Sequence, residues 1–131
     1  MMPPSPSKPK SKARLKAYRG GHWGETLAAL FLQAKLYRII DRRFKSPVGE
    51  IDLVAQRFGI TVFVEVKART HASGEAEALA AVNQQRIIRA AQYYIARHPH
   101  LAQTPLRFDV IFLARRAWPR HVINAFDASR P

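Results

Sequence analysis

Apolar residues recur along this chain with two different periods. Over residues 22–36, HWGETLAALFLQAKL, the residues Trp23, Leu27, Leu30, Phe31 and Ala34 repeat at the 3.6-residue helical period. That spacing predicts a helix with these side chains as its buried stripe. Residues 37–44, YRIIDRRF, read as a strand, at a sheet edge given its charges. Two apolar runs then flank Phe58-Gly59 in GEIDLVAQRFGITVFVEVKART, residues 49–70, and predict an antiparallel hairpin. A polar loop, RTHASGEAE, follows. The stretch 76–97 predicts a long helix with Leu79, Val82, Ile87, Ala90, Ala91, Tyr94 and Ile95 on its core side, stopped by Pro99. Residues 106–114 and 121–126 read as two more strands. The order α-β-β-β-α-β-β predicts an α/β domain, a mixed β-sheet packed against helices. The long helix is a crossover that permits a parallel pairing.

The period-2 pattern of the hairpin contains an anomaly. Side chains in a strand alternate between faces. Val62, Val64 and Val66 share one face, and Phe63, Glu65 and Lys67 the other. In the preceding strand Glu50, Asp52 and Val54 share a face, and Ile51 and Leu53 the opposite one. Aligning the apolar rows therefore aligns Glu50, Asp52, Glu65 and Lys67 in one patch. Three carboxylates together repel each other unless a cation intervenes. Lys67 is one cation; Mg²⁺ or Mn²⁺, which take carboxylate, water and phosphate oxygens, would be another. Carboxylates plus a lysine are what metal-assisted phosphodiester hydrolysis requires. The plainer account is a solvent-facing strand surface in which a cross-strand salt bridge explains two of the four charges.

Composition sharpens the picture. The 131 residues suit one domain with a proper core, and the formal net charge is +13 with a pI near 11.1. Residues 1–19 form a basic, Pro- and Ser-rich arm in which Lys8, Lys10, Lys12, Arg14, Lys16 and Arg19 meet no acid. Such a segment has little apolar surface to offset its ordering entropy, so a flexible arm contacting phosphates is expected, ahead of a single domain over 20–131. The absence of cysteine excludes disulfides, thiolate metal sites and Cys nucleophiles and fits the cytoplasm. No apolar run reaches the ~20 residues of a membrane span, and no apolar segment of signal-peptide type follows the first basic residues. No P-loop, GxGxxG, GxSxG or HExxH occurs.

Asp52 followed by Glu65-Val66-Lys67 resembles the PD-(D/E)xK nuclease signature. More closely, residues 18–126 resemble the uncharacterised bacterial family UPF0102. The matching segments are GGHWGETLA, VGEIDLVA, VFVEVKART, RIIRAAQYYI, RFDVIFL and INAF. That family is similar to Holliday junction resolvases. The resemblance implies a restriction-endonuclease-like fold, a central mixed sheet flanked by helices. It implies Asp52 and Glu65 as metal ligands, Lys67 as the catalytic lysine, and Glu25 as an additional acidic residue of the site. Glu50 belongs to the GEID motif and is expected to support the ligands. Two departures stand out: Ile51 replaces the signature's proline, and Asn83 stands where the long helix often carries a lysine, with Gln85 or Arg86 as the polar substitute.

The expected activity is a Mg²⁺- or Mn²⁺-dependent DNA endonuclease, selective for branched structures. Its expected partners are DNA, a second copy of the chain, and a repair or recombination protein. A non-catalytic nucleic-acid-binding module of the same fold is the alternative. An RNA- or ribosome-associated protein is a third reading and rests on charge alone. Arg69 and His71 after the motif, and Arg86, Arg89 and Arg97 on the long helix, are further candidate phosphate contacts, against the commoner solvated surface. Arg107 and Asp109 read as a structural ion pair, and the Tyr93-Tyr94 pair as at least partly core.

Overall fold

The computed structural model describes residues 23–68 and 82–128. Helix α1 covers 23–34 within that range. It is followed by β1 (Arg38–Ser46), β2 (Gly49–Arg57), β3 (Ile60–Ala68), α2 (Gln84–Arg97), a 3-10 turn (Pro99–Gln103), β4 (Leu106–Leu113) and β5 (Arg120–Phe126). The expected order α-β-β-β-α-β-β is the observed one, and the fold is α/β. Leu79 and the start of the stretch expected to be helical from residue 76 lie outside the described residues. Val82 is buried just ahead of α2.

The five strands lie side by side in chain order, β1-β2-β3-β4-β5. Neighbours are antiparallel except β3 and β4, which are parallel across the crossover. Central β3 is buried on both faces, so Val62, Phe63 and Val64 are all inaccessible. One face carries Phe63, Phe108, Val110 and Phe112 against Ile87, Ile88, Ala90, Ala91 and Tyr94 of α2. Its aromatic rings run in a chain across the sheet. Phe44 and Phe63 meet Tyr94 edge-on at 4.8 and 5.9 Å between ring centres, Phe63 stacks on Phe108 at 5.6 Å, and Phe108 on Phe126 at 5.0 Å. Such contacts add ~1 kcal/mol each beyond the area they bury.

The other face seats α1, and here the sequence expectation is corrected. The residues facing the sheet are Glu25, Ala28, Ala29 and Leu32, packed toward Leu53, Val62, Val64 and Ile111. Trp23 is 59% exposed and Leu30 56%, Leu27 and Ala34 are exposed, and Phe31 is half-buried. Both sets have helical spacing. The small set wins because the helix lies close to a sheet face already filled by branched side chains. A Cβ on Gly24 would sit 3.2 Å from Leu113 Cδ1, which shows how closely the helix start approaches the ends of β3 and β4.

The two edge strands are irregular. β1 has a register shift between Ile39 and Asp41 and a left-handed residue at Arg43, φ 52°. β5 is fastened by a buried charge. Asp109 is fully buried and accepts from Arg107 Nε (2.8 Å) and Nη2 (2.7 Å), His121 Nε2 (2.7 Å) and the Asn124 amide (2.9 Å). Burial pushes this carboxyl up, but the hydrogen bonds outweigh it and hold it below the usual carboxylate range. With Nε2 donating to Asp109, His121 Nδ1 accepts from Lys35 Nζ at 2.7 Å. Arg107 also reaches the Tyr37 hydroxyl at 2.6 Å. The RFDV pair is thus structural, as expected, and it joins β4, β5 and the end of α1. Among the described residues no buried side-chain polar atom lacks a partner, and no helix is long and apolar enough to cross a membrane.

Candidate metal and phosphodiester site

The hairpin ladder between β2 and β3 runs from Arg57↔Ile60 to Leu53↔Val64 and stops there. Beyond it the next β3 donor, the Val66 amide, is met by a side chain instead of a strand carbonyl: Asp52 Oδ2 accepts from it at 2.7 Å. The strict alternation expected for β2 breaks at this point. Ile51 packs with Val54 and Phe63 on the α2 side, while Leu53 packs with Val62 and Val64 on the α1 side. Ile51 and Leu53 therefore do not share a face. A local departure from the ladder is what re-aims a side chain in this way, and it brings Asp52 into the opening between the strands.

Glu65 is next to it. Its carboxyl is hydrogen-bonded to that of Asp52, and its pKa is pushed up to about 8 by burial first, then by the Asp52 charge and this hydrogen bond, with Lys67 opposing. Asp52 is also raised, by burial, against the pull of the Val66 amide and the Glu65 hydrogen bond. Two half-buried carboxyls held in contact resist ionising together, and a neutralising cation removes that cost. Glu50 is exposed at the rim and adds its negative charge to both. Lys67 is half-buried within their field.

Glu25 completes the group from α1. It is 6% exposed, and burial raises its pKa; Arg42 and Arg43 lower it, and Asp52 raises it further. Arg42 Nη2 stands 3.6 Å and Arg43 Nε 3.9 Å from Glu25 Oε1. These two arginines are additional members of the site. The left-handed turn at Arg43 lets two consecutive strand residues approach the same carboxylate, which a period-2 reading assigns to opposite faces.

The structure thus brings together Glu25, Asp52, Glu65 and Lys67, with Glu50 at the edge. Arg86 is exposed at the start of α2, beside the start of β2: a Cβ on Gly49 would lie 2.9 Å from the Arg86 carbonyl oxygen. Asn83 has a local role as the N-cap of α2, accepting from the Arg86 amide. Arg97 lies over Tyr93, away from the carboxylates along the helix. The basic arm (Lys8, Lys10, Lys12, Arg14, Lys16, Arg19), Arg69 and His71 lie outside the described residues.

Among the described residues no three His, Cys, Asp or Glu side chains stand ready-made around one ion. The Asp52–Glu65 pair nevertheless has the donor set that a hard divalent cation takes, one or two carboxylates with water and phosphate completing the shell. Burial and mutual repulsion raise the pKa of both carboxyls, and such a cation would relieve that repulsion. The residues present fit Mg²⁺ or Mn²⁺.

The model of the uncharacterised protein family UPF0102 matches residues 24–113, a span that contains Glu25, Asp52, Glu65 and Lys67. A UPF0102 protein of Rhodopseudomonas palustris strain BisA53 is 48% identical over 125 residues, 95% of this chain and 96% of its own. One from Bradyrhizobium strain ORS 278 is 49% identical over 126 residues, covering 96% and 89% of the two chains. One from Parvibaculum lavamentivorans is 49% identical over 112 residues, covering 86% and 84%. A match of this breadth makes the chain a member of the UPF0102 family.

Proposed function

We propose that this protein is a divalent-metal-dependent DNA endonuclease of the PD-(D/E)xK type, acting on branched DNA. The observation that carries the reading is the half-buried Asp52–Glu65 pair, held together where β2 parts from β3, with Lys67 within its field. Such a pair is costly to the fold and is what a metal-dependent site needs. Asp52 and Glu65 would hold Mg²⁺ or Mn²⁺, which, when bound, neutralises phosphate charge and acidifies water. The Val66 amide fixes the Asp52 carboxylate. The Lys67 ammonium donates to the scissile phosphate and stabilises the charge that develops there. Glu25, steadied by Arg42 and Arg43, accepts a hydrogen bond from water entering beside Asp52.

The net charge of +13 supports a polyanionic substrate held through phosphates. A second copy is the protein partner that suits a two-fold junction, and the exposed Trp23, Leu27 and Leu30 offer it an apolar surface on α1. The test is cleavage of labelled linear duplex, single strand, flap, fork and four-way junction with Mg²⁺, Mn²⁺ or EDTA, beside Asp52→Asn and Lys67→Ala. Metal-dependent cutting lost in both variants supports the enzyme. Salt-sensitive binding in EDTA without cutting in any metal supports the non-catalytic binding module instead.

A further inference from the structure

Between Leu113 and Arg120 the chain turns through ARRAWP, residues 114–119, to join β4 to β5. The tip is unusual in what it exposes. Trp118 is 87% exposed, and Arg115 and Arg116 are exposed beside it. Arg116 adopts a left-handed conformation, φ 59°, where glycine or asparagine is the ordinary choice. No acid occurs from residue 114 to 126. An exposed tryptophan forfeits the burial that makes it valuable in a core, and a polar turn would close this hairpin equally well. The family model's match ends at residue 113, just ahead of the tip.

Its placement links it to the carboxylates. Lys67 pairs with Phe112 across β3 and β4, and Phe112 pairs with Arg120 across β4 and β5. At ~4.8 Å per strand, Lys67 and Arg120 are about 10 Å apart along one row of the sheet. The tip projects from that row at the end of the sheet where Asp52, Glu65 and Lys67 open.

We infer that the β4–β5 tip is a nucleic-acid contact that selects DNA with unpaired bases, Trp118 stacking on a base while Arg115 and Arg116 hold the flanking phosphates. The inference deepens the nuclease reading and rests on it for the link to cleavage. An indole stacks on any base face, so the contact is tolerant of sequence. In an intact duplex that face is covered by the neighbouring pair, and reaching it requires unstacking. Selection therefore falls on forks and flaps, whose single-stranded arms leave base faces open. The arginines flanking the indole favour a polyanion over an apolar protein surface.

The experiment uses the full chain in EDTA, so that no turnover is needed. Binding of a labelled fork with single-stranded arms, a blunt duplex, a single-stranded DNA and a single-stranded RNA is measured against salt. Trp23→Phe isolates Trp118 fluorescence, and circular dichroism and sedimentation check each variant. The expected results are quenching of Trp118 on the fork and on single strands, and a ~10-fold loss of fork affinity in Trp118→Ala. Trp118→Phe keeps most of the affinity, and duplex binding changes less than ~2-fold. The double variant Arg115→Ala/Arg116→Ala should weaken all DNAs and flatten the log–log salt slope by ~2.

Equal binding of every DNA by Trp118→Ala and wild type overturns the inference. So does an equal loss on fork and duplex, or dissociation of an oligomer with DNA affinity unchanged. Tighter binding of the RNA than of the matched DNA strand overturns the DNA assignment. Metal-dependent cutting that ignores Trp118 would sink this inference and leave the nuclease reading intact. Trp118-dependent binding by a protein that never cuts would do the reverse.

Discussion

The Asp52 carboxylate accepts the Val66 amide hydrogen at 2.7 Å, one step past the last hydrogen-bonded pair of the β2–β3 hairpin. This bond does two things. It satisfies a strand donor that β2 no longer reaches, and it fixes the orientation of a carboxylate whose neighbour, Glu65, repels it when both are ionised.

Asp52→Ala and Asp52→Asn should therefore differ in stability and agree in activity. Alanine leaves the Val66 amide without its partner, at a cost of ~1–3 kcal/mol. Asparagine retains an acceptor oxygen and removes a charge, so its melting temperature should match or exceed that of the wild type by a few degrees. Both should abolish metal-dependent cleavage. Equal destabilisation of the two variants in thermal melts would remove the assigned role of this hydrogen bond.

Glu65 makes the stability of the metal-free protein depend on pH. Its folded pKa, about 8, lies above its ordinary value of 4.5, so the folded state binds the extra proton. The associated stability is complete below the unfolded pKa and is lost as pH rises through the folded one. Glu65→Gln should melt close to the wild type near pH 4 and above it by several degrees near pH 9. Mg²⁺ must displace the proton, so its stabilisation of the wild type should grow over the same range. Parallel melting profiles for wild type and Glu65→Gln would contradict this.

The buried Asp109 carries the opposite sign. Its pKa is held below the ordinary range, so the stability it supplies is present above the unfolded value and is lost as pH falls through the folded one. Asp109→Ala would leave Arg107 and His121 facing an empty site and should cost ~3–5 kcal/mol. Denaturant titration should show that loss at neutral pH and a smaller difference from wild type below pH 4. A cost under ~1 kcal/mol would show that β5 is held by other contacts.

Leu30 tests the orientation of α1. At 56% exposure, Leu30→Lys should change stability by less than ~0.5 kcal/mol, whereas Leu32→Ala on the buried side should cost ~2–5 kcal/mol. If two copies associate through α1, Leu30→Lys will also reduce the sedimentation coefficient. A large loss of stability without a change of mass would place Leu30 in the core.

Much of the fold was legible in the sequence because its signals are local. The hairpin announced itself by alternation around Phe58-Gly59, and the Asp52–Glu65–Lys67 spacing survived into the structure because all three lie on that hairpin. The direction faced by α1 was not legible. Trp23-Leu27-Leu30 and Glu25-Ala28-Ala29-Leu32 share the helical period, and hydrophobicity favours the set that the packing leaves outside. The separation choosing between them is a property of the sheet, which the helix sequence does not contain. The reorientation at Asp52 and the turn at Arg43 were hidden for a related reason: both occur where a strand leaves its regular geometry, and period-2 reasoning presumes that it does not. Asn83, which stands where the resemblance led us to expect a lysine, caps α2, a local role that the resemblance did not indicate.

The coincidence of chain order and strand order carries a kinetic consequence. Asp52 and Glu65 meet when one short loop closes, whereas β4 can join β3 only after α2 has crossed over. A hairpin that forms ahead of the crossover brings the repelling carboxyls together before β4 is in place. Neutralising one of them should accelerate refolding more than it slows unfolding, and a divalent ion that coordinates the nascent hairpin should do the same for the wild type.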